Sequence, residues 1–173
     1  MKTTTTALMV LLTLSTAACT RPDRFGGADG AGSGGAIAGT QAPAPTGAAD
    51  PRSPLYFQQT VGDRVLFEVD SSTLTPAGRA TLDGQANWLT TNSDYLAIVE
   101  GHADEQGTRE YNLALGARRA NTVREYLISR GISGDRLRTI SYGKERPIEI
   151  CSEEACYAKN RRAVTIISAS GLS

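Results

Sequence analysis

The sequence predicts a small α+β domain, close in kind to an α/β sandwich, with a sheet packed on one side by two main helices and a flexible tether ahead of it. Two windows, near 76–91 and 108–130, repeat apolar residues at helical spacing. Short runs rich in β-branched and aromatic residues alternate with them, as strands and helices sharing one core do. The stretch from Thr20 to about Pro54 is Gly, Ala, Pro, Thr and Asp with almost nothing to bury.

At the N-terminus, Lys2 precedes the apolar run Ala7–Leu12 and the small residues Ala17-Ala18 before Cys19. A basic start, a short apolar run and small residues form a secretory signal, and the run is too short to span a bilayer. Because it ends at a cysteine, it resembles a bacterial lipoprotein signal over residues 1–18, with Cys19 the lipidated residue. Thr16 stands where that motif usually has Leu, so a plain signal peptide cut elsewhere is the alternative. Residues 19–54 then form the tether. About 35 flexible residues span roughly 30–35 Å on average and about 115 Å at full stretch.

Residues 55–173 suffice for one compact domain. Val61 to Val69 reads as the first strand. Thr75-Pro76 opens a helix, with Thr75 as N-cap and Pro76 at the first helical position. Leu82, Gln85, Ala86 and Leu89 mark its buried side, and Trp88 packs at its end. Asn92-Ser93-Asp94 ends it. Tyr95 to Gly101 is a second strand, apolar in the middle. The second helix runs from near Thr108 to Arg130 and stops at Gly131. Leu113, Ala117, Ala120, Val123 and Leu127 recur on what reads as its core face. Leu137–Tyr142 and Arg162–Ser168 complete the strands.

Away from that core stripe, Asn112, Leu115, Gly116 and Arg119 fall at i, i+3, i+4 and i+7, one continuous side face. Gly116 inside a helix costs about 1 kcal/mol relative to Ala. It marks either a close ligand or a close-packed strand. Arg119 offers a planar fork suited to a carboxylate, whereas Arg118 reads as solvated. Asp104, in the loop entering the helix, caps the turn or faces a cation. An acid facing a base across a groove suits a zwitterionic ligand, which is recognition and not catalysis. His102 lies among Glu100, Asp104 and Glu105, but no nucleophile motif or metal-ligand spacing accompanies it. Its expected role is structural, with its ring hydrogen-bonded to a neighbour.

Three cysteines are an odd number for an exported protein. Lipidation of Cys19 leaves Cys151 and Cys156, spaced to close a small disulfide loop in an oxidising compartment. Half of a metal site is the alternative, and it lacks ligands. Eighteen Lys and Arg balance eighteen Asp and Glu, so there is no electrostatic footprint for nucleic acid.

The run from Val65 to Val164 contains VLFEVDSSTL, EGHADEQGTREYNLALGARRANTVREYL, SYGKERP and KNRRAV in that order. It resembles the OmpA-like peptidoglycan-binding domain family over nearly all of the folded part. The resemblance implies a βαβαββ sandwich that binds peptidoglycan non-covalently through meso-diaminopimelate in the stem peptide, without cofactor, metal or catalysis. Carried over by position, Asp104 engages the ligand amine and Arg119 its carboxylate. Asn112 supports the pocket and Leu115 packs on the aliphatic chain. Val69, Asp70 and Ser71 form the opposite wall, while Arg161 and Arg162 brace it. Removing either charge, Asp104 or Arg119, is expected to abolish binding with the domain still folded.

Lipid-anchored members of the family further imply residence in the outer membrane, TolB and other Tol proteins as partners, and work in envelope constriction. Thr20 after Cys19 agrees with outer-membrane sorting. Two features depart from the family pattern. Val69 stands where members often have Phe, and Cys151 and Cys156 fall in a loop where many have none. A cell-wall hydrolase would need a nucleophile or metal, and OmpA-like modules of motors or secretion systems usually carry a transmembrane helix or further domains.

Overall fold

The computed structural model describes residues 47–150 and 152–169. The expectations for the signal peptide, Cys19, the tether up to residue 46 and Cys151 lie outside the described residues. The described chain opens with a 3-10 turn at Gly47–Ala49. Ser53 caps α1 (Pro54–Tyr56), its Oγ accepting from the Tyr56 N–H at 3.0 Å. This helix runs on as a π-helical segment, Phe57–Gly62, which Gly62 ends at φ +93°.

The order continues β1 (Arg64–Leu66), α2 (Pro76–Thr91), β2 (Tyr95–His102), α3 (Arg109–Ser129), β3 (Leu137–Gly143), α4 (Glu154–Asn160) and β4 (Arg162–Ala169). Among the described residues the sheet has the order β1-β4-β2-β3, with β2 parallel to β3 and β4 antiparallel to both β1 and β2. Central β2 turns Ala97, Val99 and Gly101 to the helices, where Leu82, Leu89, Val123 and Leu127 meet them with no exposed surface. Each such large side chain contributes about 1.5–3 kcal/mol of burial. The α+β class, with α2 and α3 packed on the sheet, is as the sequence predicts.

Thr75 is the N-cap that the sequence predicts, and Thr108 caps the second long helix in the same way. Thr75 Oγ1 accepts from the Gly78 N–H at 3.0 Å, and Thr108 Oγ1 from the Tyr111 N–H at 3.2 Å. Helix α3 ends at Gly131 (φ +95°), whose N–H reaches the Ile128 carbonyl while the Ile132 N–H reaches Leu127. That paired closure satisfies carbonyls the helix leaves open.

Three expectations are corrected. The first strand does not cover Val61–Val69: Val61 belongs to the π-helical segment, only 64–66 pair, and the chain turns away at Glu68–Ser71. β-Propensity alone does not reveal where an edge strand stops finding a partner. Cys156 lies in helix α4, not in a loop. On α3, Leu113 is exposed and Ala117 half-buried. The buried side is instead Asn112, Leu115, Gly116, Arg119, Ala120, Val123 and Leu127. The face read as lying beside the core is the core face itself, with polar residues toward its N-terminal half.

Gly116 is explained by the sheet. A Cβ on Gly101 would stand 1.8 Å from the Gly116 carbonyl oxygen, and one on Gly116 would stand 2.5 Å from Ser141 Oγ. Backbone meets backbone there, and only glycine fits on both sides.

Candidate ligand-binding groove

A groove of about 260 Å³ forms where three segments converge. The β1–α2 connection supplies Val69 and Asp70, the chain after β2 supplies Asp104, Gln106 and Gly107, and the first turns of α3 supply Tyr111, Asn112 and Leu115. Sites for drug-sized ligands run to about 300–1,000 Å³, so this volume suits one extended side chain better than a cofactor. Five of the residues expected at the site line it: Val69, Asp70, Asp104, Asn112 and Leu115. Ser71, Arg119, Arg161 and Arg162 stand around it.

Asp104 is almost fully buried at the groove's inner end. Its Oδ1 accepts from the Gln106 N–H at 3.3 Å and its Oδ2 from Arg161 Nη1 at 3.2 Å. Arg161 is also buried, with Nε on the Phe67 carbonyl at 3.2 Å and Nη2 on the Glu154 carboxylate. Burial works to lower the Arg161 pKa, but the bonds to Glu154 and Asp104 outweigh it and leave it raised. Arg162 reaches away from Asp104, to the carbonyls of Asn160 at 3.3 Å and Arg146 at 3.1 Å, and so ties down the chain entering α4.

Arg119 lies behind the groove wall with no exposed surface. Its Nε donates to the Ser71 carbonyl at 2.8 Å, Nη1 to His102 at 2.8 Å and Nη2 to Glu68 at 3.1 Å. The fork thus fastens the β1–α2 connection to the end of β2. Its face lies 5.2 Å from the Phe67 ring centroid. Burial lowers its pKa to about 10, with Asp104 opposing the shift and Arg161 adding to it, so it remains charged at neutral pH. Ser71 does not line the groove; its carbonyl is held by Arg119 and its hydroxyl accepts from the Thr73 N–H at 3.0 Å.

The outer edge carries a residue that sequence reasoning missed. Tyr111, 44% exposed, donates its hydroxyl to the Asp70 carboxylate across the groove. Asp70 has φ +51°, the left-handed region that Asp tolerates better than most residues. Tyr111 lies four residues before Leu115, so extending the helical face by one turn would have found it. Gln106 and Gly107 were also missed. The Gln106 carbonyl accepts from Asn112 Nδ2 at 2.6 Å, and Lys144 Nζ donates to the Gly107 carbonyl at 2.6 Å. These bonds hold the loop shut from both sides.

The expected hydrogen bond from the His102 ring is corrected. Among the described residues neither ring nitrogen has a hydrogen-bond partner, although Nε2 lies 3.7 Å from a Glu100 carboxylate oxygen. The ring instead stacks on Tyr142 at 5.6 Å, and Arg146 covers the Tyr142 ring at 3.7 Å. Burial, then Arg162 and Arg146, push its pKa down to about 4, so it is neutral near pH 7. Cys156 is disulfide-bonded.

Similarity to known proteins places the chain in a defined family. Residues 66–161 match the OmpA family model, and the chain belongs to the OmpA family. It is 54% identical over 125 residues to the peptidoglycan-associated lipoprotein of Rhizobium meliloti (strain 1021), covering 72% of this chain and 71% of that one. The protein of the same name from Mesorhizobium japonicum is 53% identical, covering 72% and 74%. Among solved structures, the peptidoglycan-associated lipoprotein of Burkholderia pseudomallei superposes with TM-score 0.63 at 34% identity, covering 67% of this chain and 100% of that one. The C-terminal domain of Helicobacter pylori MotB, at 23% identity and TM-score 0.58, shares the fold; it covers 63% of this chain and 86% of that one.

Proposed function

We propose that this domain grips peptidoglycan without cleaving it, taking meso-diaminopimelate of the stem peptide into the groove. The observation that carries the reading is the lining: the carboxylates of Asp70 and Asp104 flank the apolar surfaces of Leu115 and Val69. That pattern suits an ammonium group on an aliphatic stem. Relatives named for association with peptidoglycan, at about half identity across most of the chain, support it.

In this account Asp104 receives the ligand amine, Leu115 packs on its methylenes and Asn112 keeps the loop closed. Val69 and Asp70 form the facing wall. The ligand carboxylate goes to Arg119, whose five N–H donors exceed the three carbonyl bonds it makes. Since Arg119 is fully buried, the 68–71 segment must lift slightly for that contact. Arg161 and Arg162 act as braces.

We further read the chain as a lipoprotein anchored through Cys19 in the outer membrane, its domain on the periplasmic side, joining that membrane to the cell wall. TolB and other Tol proteins would be its partners in envelope integrity and constriction. Among the described residues no helix is long and apolar enough to cross a membrane. Co-sedimentation of the purified domain with isolated cell walls tests the binding. Capture that free meso-diaminopimelate muropeptide competes away supports the reading. Sustained release of soluble wall fragments would refute it.

A further inference from the structure

Asp104 has a charge problem that its nearest partner creates. A carboxylate bonded to a buried guanidinium at 3.2 Å is locally neutralised, and a neutral pair attracts an ammonium ligand poorly. The structure holds a second carboxylate on the same guanidinium. Arg161 divides its nitrogens, Nη1 to Asp104 and Nη2 to Glu154, while Nε is held by the Phe67 carbonyl. Arg119 and Asp70 also act on this cluster, so two guanidiniums and three carboxylates leave one negative charge over. The excess sits next to the groove, because Asp104 lines it.

Geometry also keeps Arg161 from sliding fully onto Asp104. A free arginine fork takes a carboxylate with two parallel bonds, whereas here only one nitrogen reaches Asp104 and the other terminal nitrogen is occupied. Among the described residues Oδ1 of Asp104 carries only the long 3.3 Å bond from Gln106, so its lone pairs are open to a stronger donor. Glu154 belongs to the first turn of α4, and α4 is fastened to the same loop a second time. Asn160 Nδ2 donates to Glu105 Oε1 at 2.7 Å, and Asn160 Oδ1 accepts from the Ile148 N–H at 2.9 Å. Helix α4 is therefore built against the Asp104–Glu105 loop.

We propose that Glu154 is a positioning residue for ligand recognition: by occupying half of the Arg161 fork it leaves Asp104 with the negative charge that selects an amine-bearing ligand. This rests on the groove being the diaminopimelate site. Glu154 does not touch the ligand. It acts through Arg161, and its influence on affinity is electrostatic. Its side chain is 66% exposed, so substitution leaves the fold in place and added salt weakens its effect.

The experiment is titration calorimetry on the folded domain with two probes, a meso-diaminopimelate muropeptide and the same muropeptide with its free side-chain amine acetylated. Glu154→Gln is expected to weaken the amine-bearing probe about three- to tenfold, the size of one lost charge interaction at this range. Glu154→Lys should weaken it further. Neither substitution should change the affinity for the acetylated probe, which a merely structural role would lower in parallel. Unchanged binding of the amine probe, or equal losses for both probes, overturns the proposal. Asp104→Asn serves as the separate control: if it leaves amine-probe binding at the wild-type level, the groove assignment itself fails, whatever Glu154 does.

Discussion

Gly101 and Gly116 meet so closely that a Cβ on the first would stand 1.8 Å from the carbonyl oxygen of the second. This contact sets the depth at which α3 lies on β2, and so the position of Asn112 and Leu115 over the groove. Alanine at Gly101 must push helix from sheet. It should destabilise the domain by about 3 kcal/mol or more, read as a lower urea midpoint. Gly116→Ala should also destabilise, because the gain of about 1 kcal/mol in helix propensity is too small to offset a clash with Ser141 and Gly101.

Arg119 is expected to combine a stability role with a binding role. Arg119→Ala leaves the carbonyls of Glu68, Ser71 and His102 without their donor and should cost about 3–5 kcal/mol in stability. Arg119→Lys should recover little, since one ammonium cannot reproduce a planar fork aimed at three oxygens. Denaturant titration checks both. This revises the expectation from sequence that removing Arg119 spares the fold.

Asp70 allows charge and backbone to be separated. Asparagine also tolerates the left-handed region, so Asp70→Asn should change stability by less than about 0.5 kcal/mol. It nevertheless removes one of the two carboxylates lining the groove. Affinity for an amine-bearing muropeptide should fall, while the thermal midpoint stays within a few degrees.

His102 gives a pH dependence whose sign follows from burial. Its folded pKa of about 4 lies below the ordinary 6.5, so between those values the unfolded chain binds more protons. Stability is full above about pH 6.5, declines as pH falls toward about 4, and this contribution then levels off. The loss amounts to about 3 kcal/mol for a shift of this size. Urea unfolding at pH 7 and pH 4.5 should show the decline, and His102→Gln should flatten it.

The fold was legible where local chemistry and tertiary context agree. Thr75-Pro76, Thr108 and Gly131 end their helices as written because caps are short-range. Context decided the rest. Val61 has strand-like neighbours but, among the described residues, no partner strand, and Leu113 keeps helical spacing yet points outward because Asn112, Leu115 and Arg119 take the inward positions. An arginine with no exposed surface is not foreseeable from spacing, since its burial depends on carbonyls at residues 68, 71 and 102. For the groove, the acidic turn and the Asn112–Leu115 face were readable from sequence. The hydrogen bond of Tyr111 to Asp70 and the Glu154–Arg161–Asp104 chain were not, because each joins residues far apart in sequence.

The most direct test of the central claim is calorimetric titration of the folded domain with a meso-diaminopimelate muropeptide, wild type against Asp104→Asn. Saturable one-to-one binding is expected of the wild type, with a loss of about 30-fold or more in the variant, corresponding to about 2 kcal/mol or more. The variant stays folded at the assay temperature but melts lower, because the buried Arg161 loses the Asp104 carboxylate. Equal affinities for the two proteins, with both folded, would contradict the claim.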